Sequence, residues 1–209
     1  MEAEASFSSL LLVSLGMGWC CTLLWVSAMF FYLGEVFRVR SSDGLSPDFI
    51  CIIWVGYIFM ASQDVYGFFS PDSSFSNEVH VPDMIISFCG LTFGCWGMIC
   101  LYKVPRTKPV NFGWLAKVSI SVAICIIIVT AFWTRNVDTV LKTSGSTKAV
   151  MSLIAYIPQM IHICKMKSTY GFALGGIMSD FSGAVLAVLQ IILDHYRVDD
   201  GKGFWEDLN

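Results

Sequence analysis

Long apolar runs separated by short polar segments dominate the pattern of this 209-residue chain. Six runs can be delimited, at about residues 10–32, 49–69, 84–102, 114–133, 148–164 and 172–194. A helix needs about 20 apolar residues to cross about 30 Å of hydrocarbon, and most of the runs have that length. The pattern therefore predicts an all-α protein that crosses a membrane several times.

The composition agrees with this prediction. Hydrophobic residues make up 56% of the chain and charged residues 14%, whereas a soluble domain carries about a quarter charged residues. The eight cysteines lie within the apolar runs or at their edges, and their spacing matches no metal motif, so we interpret them as small packing residues. No nucleophile–base set, metal cluster or nucleic-acid surface is recognisable, so an enzyme is not predicted.

The basic residues follow alternate apolar runs. They form three clusters after the first, third and fifth runs: Arg38 and Arg40; Lys103, Arg106 and Lys108; Lys165 and Lys167. The positive-inside rule places these clusters in the cytosol and the N-terminus on the lumenal or outer face. The polar segment after the fourth run, with Arg135, Asp138 and Lys142, is predicted to be a loop of mixed charge.

The chain contains an internal repeat. Residues 165–171 align without gaps on residues 38–44, and each copy is an apolar segment, a basic-x-basic-Ser turn, a glycine three residues later and a second apolar segment. Because both turns are predicted on the same side of the membrane, the repeats are parallel. Transporters are often built this way, with the substrate site near the membrane midplane between the repeats.

A proline–glutamine pair lies inside the fifth run. Pro158 removes one backbone hydrogen bond from a helix and bends it, and the freed carbonyls lie next to the polar side chain of Gln159. This arrangement predicts a hinge or a ligand contact, with a static kink as the alternative. The first copy lacks the pair, since its ungapped equivalents are Phe31 and Tyr32.

An aspartate, Asp180, stands nine residues into the sixth run, near the predicted middle of the bilayer. An ionised carboxylate there costs at least about 2.5–3.5 kcal/mol, which favours its protonated form, and a carboxylate in such a place is usually functional. The alternative is a packing residue bonded to Ser179, Ser182 or a neighbouring helix. A further carboxylate, Asp64, lies near the end of the second run and is expected at the membrane interface.

The segments YIPQ, KSTYG and DFSGAVLAVLQ resemble the second PQ-loop of the cystinosin family of lysosomal cystine–proton transporters. FFYLGEVFRVRSSDGLSPDF is similar to a degenerate version of its first PQ-loop. The resemblance implies a first triple-helix bundle in residues 1–102, a linking helix and loops in 103–143, and a second bundle in 144–209. Six of the family's seven helices are then expected, and its last helix and sorting signal would be missing after Asn209.

The resemblance also implies roles for individual residues. It makes Asp180 the proton-coupling residue and puts Asp48 in the substrate path, although a simple first-turn helix residue is the alternative for Asp48. Lys148 matches a lysine of the family and either meets a substrate carboxylate or extends to the membrane interface. The remaining implied substrate contacts are Tyr156, Gln159, His162 and Gly176.

Three positions depart from the family. His162 replaces an asparagine and is either an interfacial histidine or a proton relay. Gly176 occupies the position of a substrate-contacting asparagine, and Ala155 replaces a lysine. A pocket without these polar groups would suit an amino acid other than cystine.

The resemblance implies proton-coupled export of cystine or a related small amino acid from an acidic organelle to the cytosol. The expected location is a lysosomal or vacuolar membrane, and the expected partners are the substrate, protons and the lipid bilayer. No cofactor, metal or nucleic acid is expected beyond the coupling H⁺. Two alternatives are a non-transporting membrane receptor, chaperone or inactive short form, and a sugar uniporter, against which Asp180 argues.

Overall fold

The computed structural model of the chain describes residues 2–69, 81–167 and 173–198. The acidic loop at 70–80, the end of the second basic turn at 168–172 and the tail at 199–209 lie outside the described residues.

The described residues form helices joined by short connections. In chain order the helices are α1 (Glu2–Val39), α2 (Pro47–Phe69), α3 (Val81–Lys103), α4 (Trp114–Thr134), α5 (Val137–Met166) and α6 (Leu174–Val198). The prediction of an all-α, polytopic membrane protein is confirmed. Five of these helices are long and apolar enough to cross a membrane, whereas the apolar part of α6, Leu174–Gln190, is shorter.

The fifth helix is longer than its apolar run. The predicted mixed-charge loop is wrong from Val137 onward, because Asp138 and Lys142 lie within α5. The side chain of Asn136 accepts hydrogen bonds from the backbone N–H groups of Asp138 and Thr139, at 2.9 and 3.3 Å. This N-cap lets the helix begin 11 residues before the apolar run that begins at residue 148, since capping satisfies its first unpaired N–H groups.

The helices assemble as two compact units. One contains the chain up to Ala28 together with the chain from Leu174, and thus the first part of α1 and α6. The other contains residues 29–173, and in it α2 packs against α3, α4 and α5. Large apolar side chains remain on the outside, for example Phe132 and Trp133 of α4 at 80% and 87% exposure. Such exposure is expected where lipid replaces water.

Close contact between α2 and α3 depends on glycines. A Cβ at Gly90 would collide with the ring of Tyr57, and a Cβ at Gly94 would collide with that of Trp54. Small residues at four-residue spacing let helix backbones approach closely in a membrane, where packing rather than the hydrophobic effect drives association. The aromatic side chains of α2 thus fill the space that the glycines of α3 leave.

Candidate functional site

The proline–glutamine pair lies in the interior of α5, and both side chains are buried. Gln159 is 1% exposed and uses both ends of its amide. Its Nε2 donates to the carbonyl of Gly44 at 2.8 Å, and its Oε1 accepts from the N–H of Ser46 at 2.9 Å. Both partners belong to the 40–46 turn, the segment between α1 and α2. We call this pair of hydrogen bonds the Gln159 latch.

A second side chain of α5 contacts the same turn. Nε2 of His162 lies 2.6 Å from the carbonyl oxygen of Asp43. A carbonyl oxygen only accepts, so Nε2 carries the proton in this contact. The ring of Tyr156, less than one turn before Gln159, lies 5.6 Å from that of Phe49 at the start of α2. The structure therefore brings Tyr156, Gln159 and His162 to the start of α2.

The segment between α3 and α4 holds the 40–46 turn from another side. One guanidinium nitrogen of Arg106 donates to the carbonyls of Ser42 and Leu45, at 3.1 and 3.0 Å. The N–H and hydroxyl of Thr107 both donate to Oδ1 of Asp43, at 2.9 and 3.0 Å. The turn is thus fixed by side chains from two other parts of the same unit.

These contacts change the acid–base properties of the turn. Burial raises the pKa of Asp43, but hydrogen bonds from Thr107 and Ser41 to its carboxylate outweigh burial and lower the pKa overall. Burial lowers the pKa of Arg106, and the nearby charge of Asp43 opposes that effect. Asp43 is therefore held as an anion next to a guanidinium that remains charged.

The turns of the two repeats end their helices in the same way. Arg40 and Lys167, which the sequence alignment pairs, both adopt the left-handed conformation, with φ of 55° and 51°. The N–H of each donates to the carbonyl three residues earlier, Phe37 and Cys164, at 3.3 Å in both copies. The predicted alignment of the two basic turns is thus matched in backbone geometry.

Asp48 lies in the first turn of α2. Its Oδ1 accepts a hydrogen bond of 2.6 Å from the N–H of Gly113, the residue that caps α4. The structure thus gives Asp48 the position expected of a first-turn helix residue, and the carboxylate also fixes the start of α4. Its place in a substrate path stays a prediction.

Lys148 lies in α5 against the backbone of Gly56 in α2. Its ammonium stands 5.2 Å from the centre of the Tyr57 ring, within the range of a cation–π interaction. This contact orients the ammonium inside the unit that holds the Gln159 latch. Recognition of a substrate carboxylate by Lys148 stays a prediction.

Asp180 and Gly176 belong to α6, in the other compact unit. The backbone carbonyl of Asp180 accepts a hydrogen bond from the indole of Trp25 in α1, at 3.3 Å, and the hydroxyls of Ser179 and Ser27 are 2.7 Å apart. Polar contacts therefore anchor this part of α6 on α1. The carboxylate side chain is half-buried, Gly176 is buried, and their roles stay predictions.

Two features were not predicted from the sequence. The position of Asp64 at the membrane interface stays a prediction, but its burial was not foreseen: its side chain is 6% exposed and accepts a hydrogen bond from Ser87 of α3. The sequence shows Asp64 near a helix end but not which face of α2 carries it. The part played by Arg106 was also missed, because in sequence it is one of several basic loop residues.

Metal ligation finds no support in the part of the chain that the structure describes. No three His, Cys, Asp or Glu side chains there are placed to hold an ion. All eight cysteines are free thiols, and four of them are exposed on helix surfaces.

The fold defines a multi-pass, all-helical membrane protein, and its helix α5 carries the buried Pro158–Gln159 pair. The family model described as the PQ loop repeat matches residues 140–200, which include most of α5 and all of α6. The conclusion rests on that match together with the six helices of the structure.

Curated relatives extend the similarity to most of the chain. Cystinosin of Drosophila melanogaster is 24% identical over 97% of this chain, and the cystinosin homologs of Dictyostelium discoideum and Caenorhabditis elegans are 27% and 25% identical over 90%. The chain is therefore similar to the cystinosins. It spans 54%, 70% and 50% of the length of these three proteins.

Proposed function

We propose that this protein is a cystinosin-type transporter that exports cystine or a related small amino acid, together with protons, from an acidic organelle to the cytosol. The proposed location is the lysosomal or vacuolar membrane, with the N-terminus in the lumen. The family resemblance supplies the substrate class, the direction and the compartment.

The Gln159 latch is the observation that carries the proposal. Hydrogen bonds from one side chain of α5 to two backbone groups of the 40–46 turn form a contact that can break and re-form as a unit. Pro158, the next residue, interrupts the backbone hydrogen bonding of α5 at the same level. A breakable contact next to a helix interruption is what a cytosolic gate requires.

Proton coupling is proposed for Asp180. Its carboxylate lies in an apolar helix, where the neutral form costs far less than the ion. Protonation from the acidic side and release to the neutral side would make the two directions of transport unequal. The amide of an Asp180→Asn variant has nearly the same shape but cannot carry the proton.

Uptake of labelled cystine tests the function directly. Cells that expose the protein at their surface are assayed at about pH 5.5 and about pH 7.5, an acidic and a near-neutral condition. The expected result is uptake stimulated by acid, lost in Asp180→Asn and retained in Asp138→Asn, which neutralises a carboxylate at the start of α5. Surface labelling measures the amount of each variant.

Absence of uptake from a protein that folds and inserts would contradict the transport proposal. The competing function is a membrane receptor or chaperone of the same fold. One observation favours it: the first repeat has Tyr32, packed against Phe49 and Phe93, where a second latch would require glutamine. Proton-independent uptake of a sugar would instead indicate the uniporter.

A further inference from the structure

A second carboxylate is buried in an apolar helix of this protein, and the proposed function does not use it. Asp64 lies in α2, five residues before the helix ends at Phe69, which is about 7.5 Å along the helix axis. It is therefore more than a turn inside the helix. Its side chain is 6% exposed, the lowest value among the described acidic side chains.

The hydrogen-bond partner of Asp64 suits both of its protonation states. The hydroxyl of Ser87, in α3, is completely buried and donates to Oδ2 of Asp64. A serine hydroxyl can donate to a carboxylate, and it can also accept from the O–H of a carboxylic acid. Gain or loss of a proton by Asp64 thus requires only rotation of this hydroxyl, without loss of the contact.

The charged groups that act on Asp64 come from two helices and have opposite signs. Asp83 of α3 disfavours a second negative charge, whereas Lys148 of α5 favours it. The helix α4 also packs on α2, but its one charged side chain, Lys117, lies in its first turn, near the start of α2 rather than its end. Asp64 therefore lies in the field of one charge of each sign.

Burial also affects which form of the Asp64 side chain is stable. Transfer of an ionised carboxylate into an apolar environment is costly unless it is paired, and in practice such a group takes up a proton instead. A purely structural role would be served as well by asparagine, which forms the same hydrogen bond with Ser87 and carries no charge to bury. A buried ionisable group with a two-way hydrogen-bond partner has the properties of a proton acceptor.

We propose that Asp64, held against Ser87 between α2 and α3 and within the field of Lys148, is a proton-binding site of this protein. It is separate from Asp180, which belongs to the other compact unit. The inference does not depend on the solute that the protein carries, because it concerns the protonation of one side chain.

Infrared spectroscopy of the purified protein in lipid bilayers tests the proposal. The carbonyl stretch of a protonated carboxylic acid is followed from about pH 8 down to about pH 4, which is close to the ordinary pKa of a carboxyl group. All variants carry Asp180→Asn, so that the carboxylate proposed for proton coupling does not contribute. The comparison is between that background, Asp64→Asn in it, and Asp83→Asn in it as the matched control on α3.

The expected result is a carboxylic-acid band that grows on acidification in the background and in the Asp83→Asn variant, and that is lost in Asp64→Asn. Ser87→Ala should shift the band, because the acid loses its hydrogen bond, and this variant decides the matter if Asp64→Asn does not fold. Identical pH difference spectra with and without Asp64, or a Ser87→Ala band that does not shift, would overturn the proposal. A band that Asp64→Asn removes but that is constant over the whole range would overturn it too, since a permanently protonated group exchanges no proton.

Failure of cystine transport would leave this result untouched. Conversely, a transporter whose Asp64 never titrates would refute only the present inference. The two proposals are therefore tested by separate measurements.

Discussion

The two repeats share the geometry of their basic turns, but different interactions hold the equivalent residues Gln159 and Tyr32. Gln159 in the second copy makes two hydrogen bonds to the 40–46 turn. Its equivalent in the first copy, Tyr32, is equally buried but packs its ring against Phe49 and Phe93, with ring centres 5.8 and 6.1 Å apart. Hydrogen bonds have discrete made and broken states, whereas close packing does not. We therefore propose that the movable contact lies in the second repeat and the fixed one in the first.

The largest effect is expected from removal of the fixed contact. Tyr32→Ala leaves a cavity at the junction of α1, α2 and α3, and large-to-small changes of aromatic residues cost about 3–5 kcal/mol. We expect a marked fall in the thermal unfolding temperature of the protein in detergent, and less protein in the membrane. The control is Phe31→Ala, because that neighbouring ring is half exposed. Equal destabilisation by the two substitutions would show that Tyr32 is not the structural anchor of the first repeat.

The second effect concerns the latch itself. Gln159→Leu keeps the bulk of the side chain but leaves the N–H of Ser46 and the carbonyl of Gly44 without their partner, at about 1–3 kcal/mol for each buried group. The unfolding temperature should fall, though less than in Tyr32→Ala, and the backbone of the 40–46 turn should become more accessible to solvent. Protection of the Ser46 amide against hydrogen exchange measures this opening directly.

Gln190→Leu is the matched control for the latch, since Gln190 is a half-buried glutamine of α6 that packs beside Gly18. It should leave exchange at Ser46 unchanged. If the Ser46 amide exchanged no faster in Gln159→Leu than in Gln190→Leu, the Gln159 latch would not stabilise the 40–46 turn.

Pro158→Ala separates the hinge from a static kink. Alanine restores a backbone N–H to α5, and a helix-interior proline costs about 3 kcal/mol, so the variant should unfold at the same or a higher temperature. If α5 bends during transport, uptake should nevertheless fall several-fold at equal surface amounts. Pro82→Ala in the first turn of α3, where proline is well tolerated, is the control. Undiminished uptake in Pro158→Ala would identify a static kink.

The helices and the repeat could be predicted from the sequence, because both depend on composition and spacing. The alignment pairs Arg40 with Lys167 from sequence alone, and the structure shows that both adopt the left-handed conformation. The start of α5 was misplaced because charged residues from Asp138 onward hide a helix that the Asn136 cap initiates. Charge content predicts the depth of a segment in the membrane, not its secondary structure.

The partners of the site residues could not be predicted, because they depend on which face of each helix meets its neighbour. The PQ pair was recognised, but not that its glutamine reaches Gly44 and Ser46, more than 110 positions away. The hydrophobic pattern carries little facial information here, since lipid-exposed and buried faces are both apolar. For the same reason the burial of Asp64 became visible only in the structure.

The smallest predicted effect lies in the turn that the latch holds. Hydrogen bonds from Thr107 lower the pKa of Asp43 below its unfolded value, which is about 3.9. The resulting stabilisation is fully present above that unfolded value and is lost as the pH falls through the lower folded value. The difference in unfolding temperature between the parent and Asp43→Asn should be constant near neutrality and shrink below about pH 4. Thr107→Val, which removes the hydroxyl donor of Thr107 but keeps its N–H, should give a smaller difference with the same pH dependence. A difference that does not change with pH would show that the turn is held by the Gln159 latch and Arg106 rather than by the charge of Asp43.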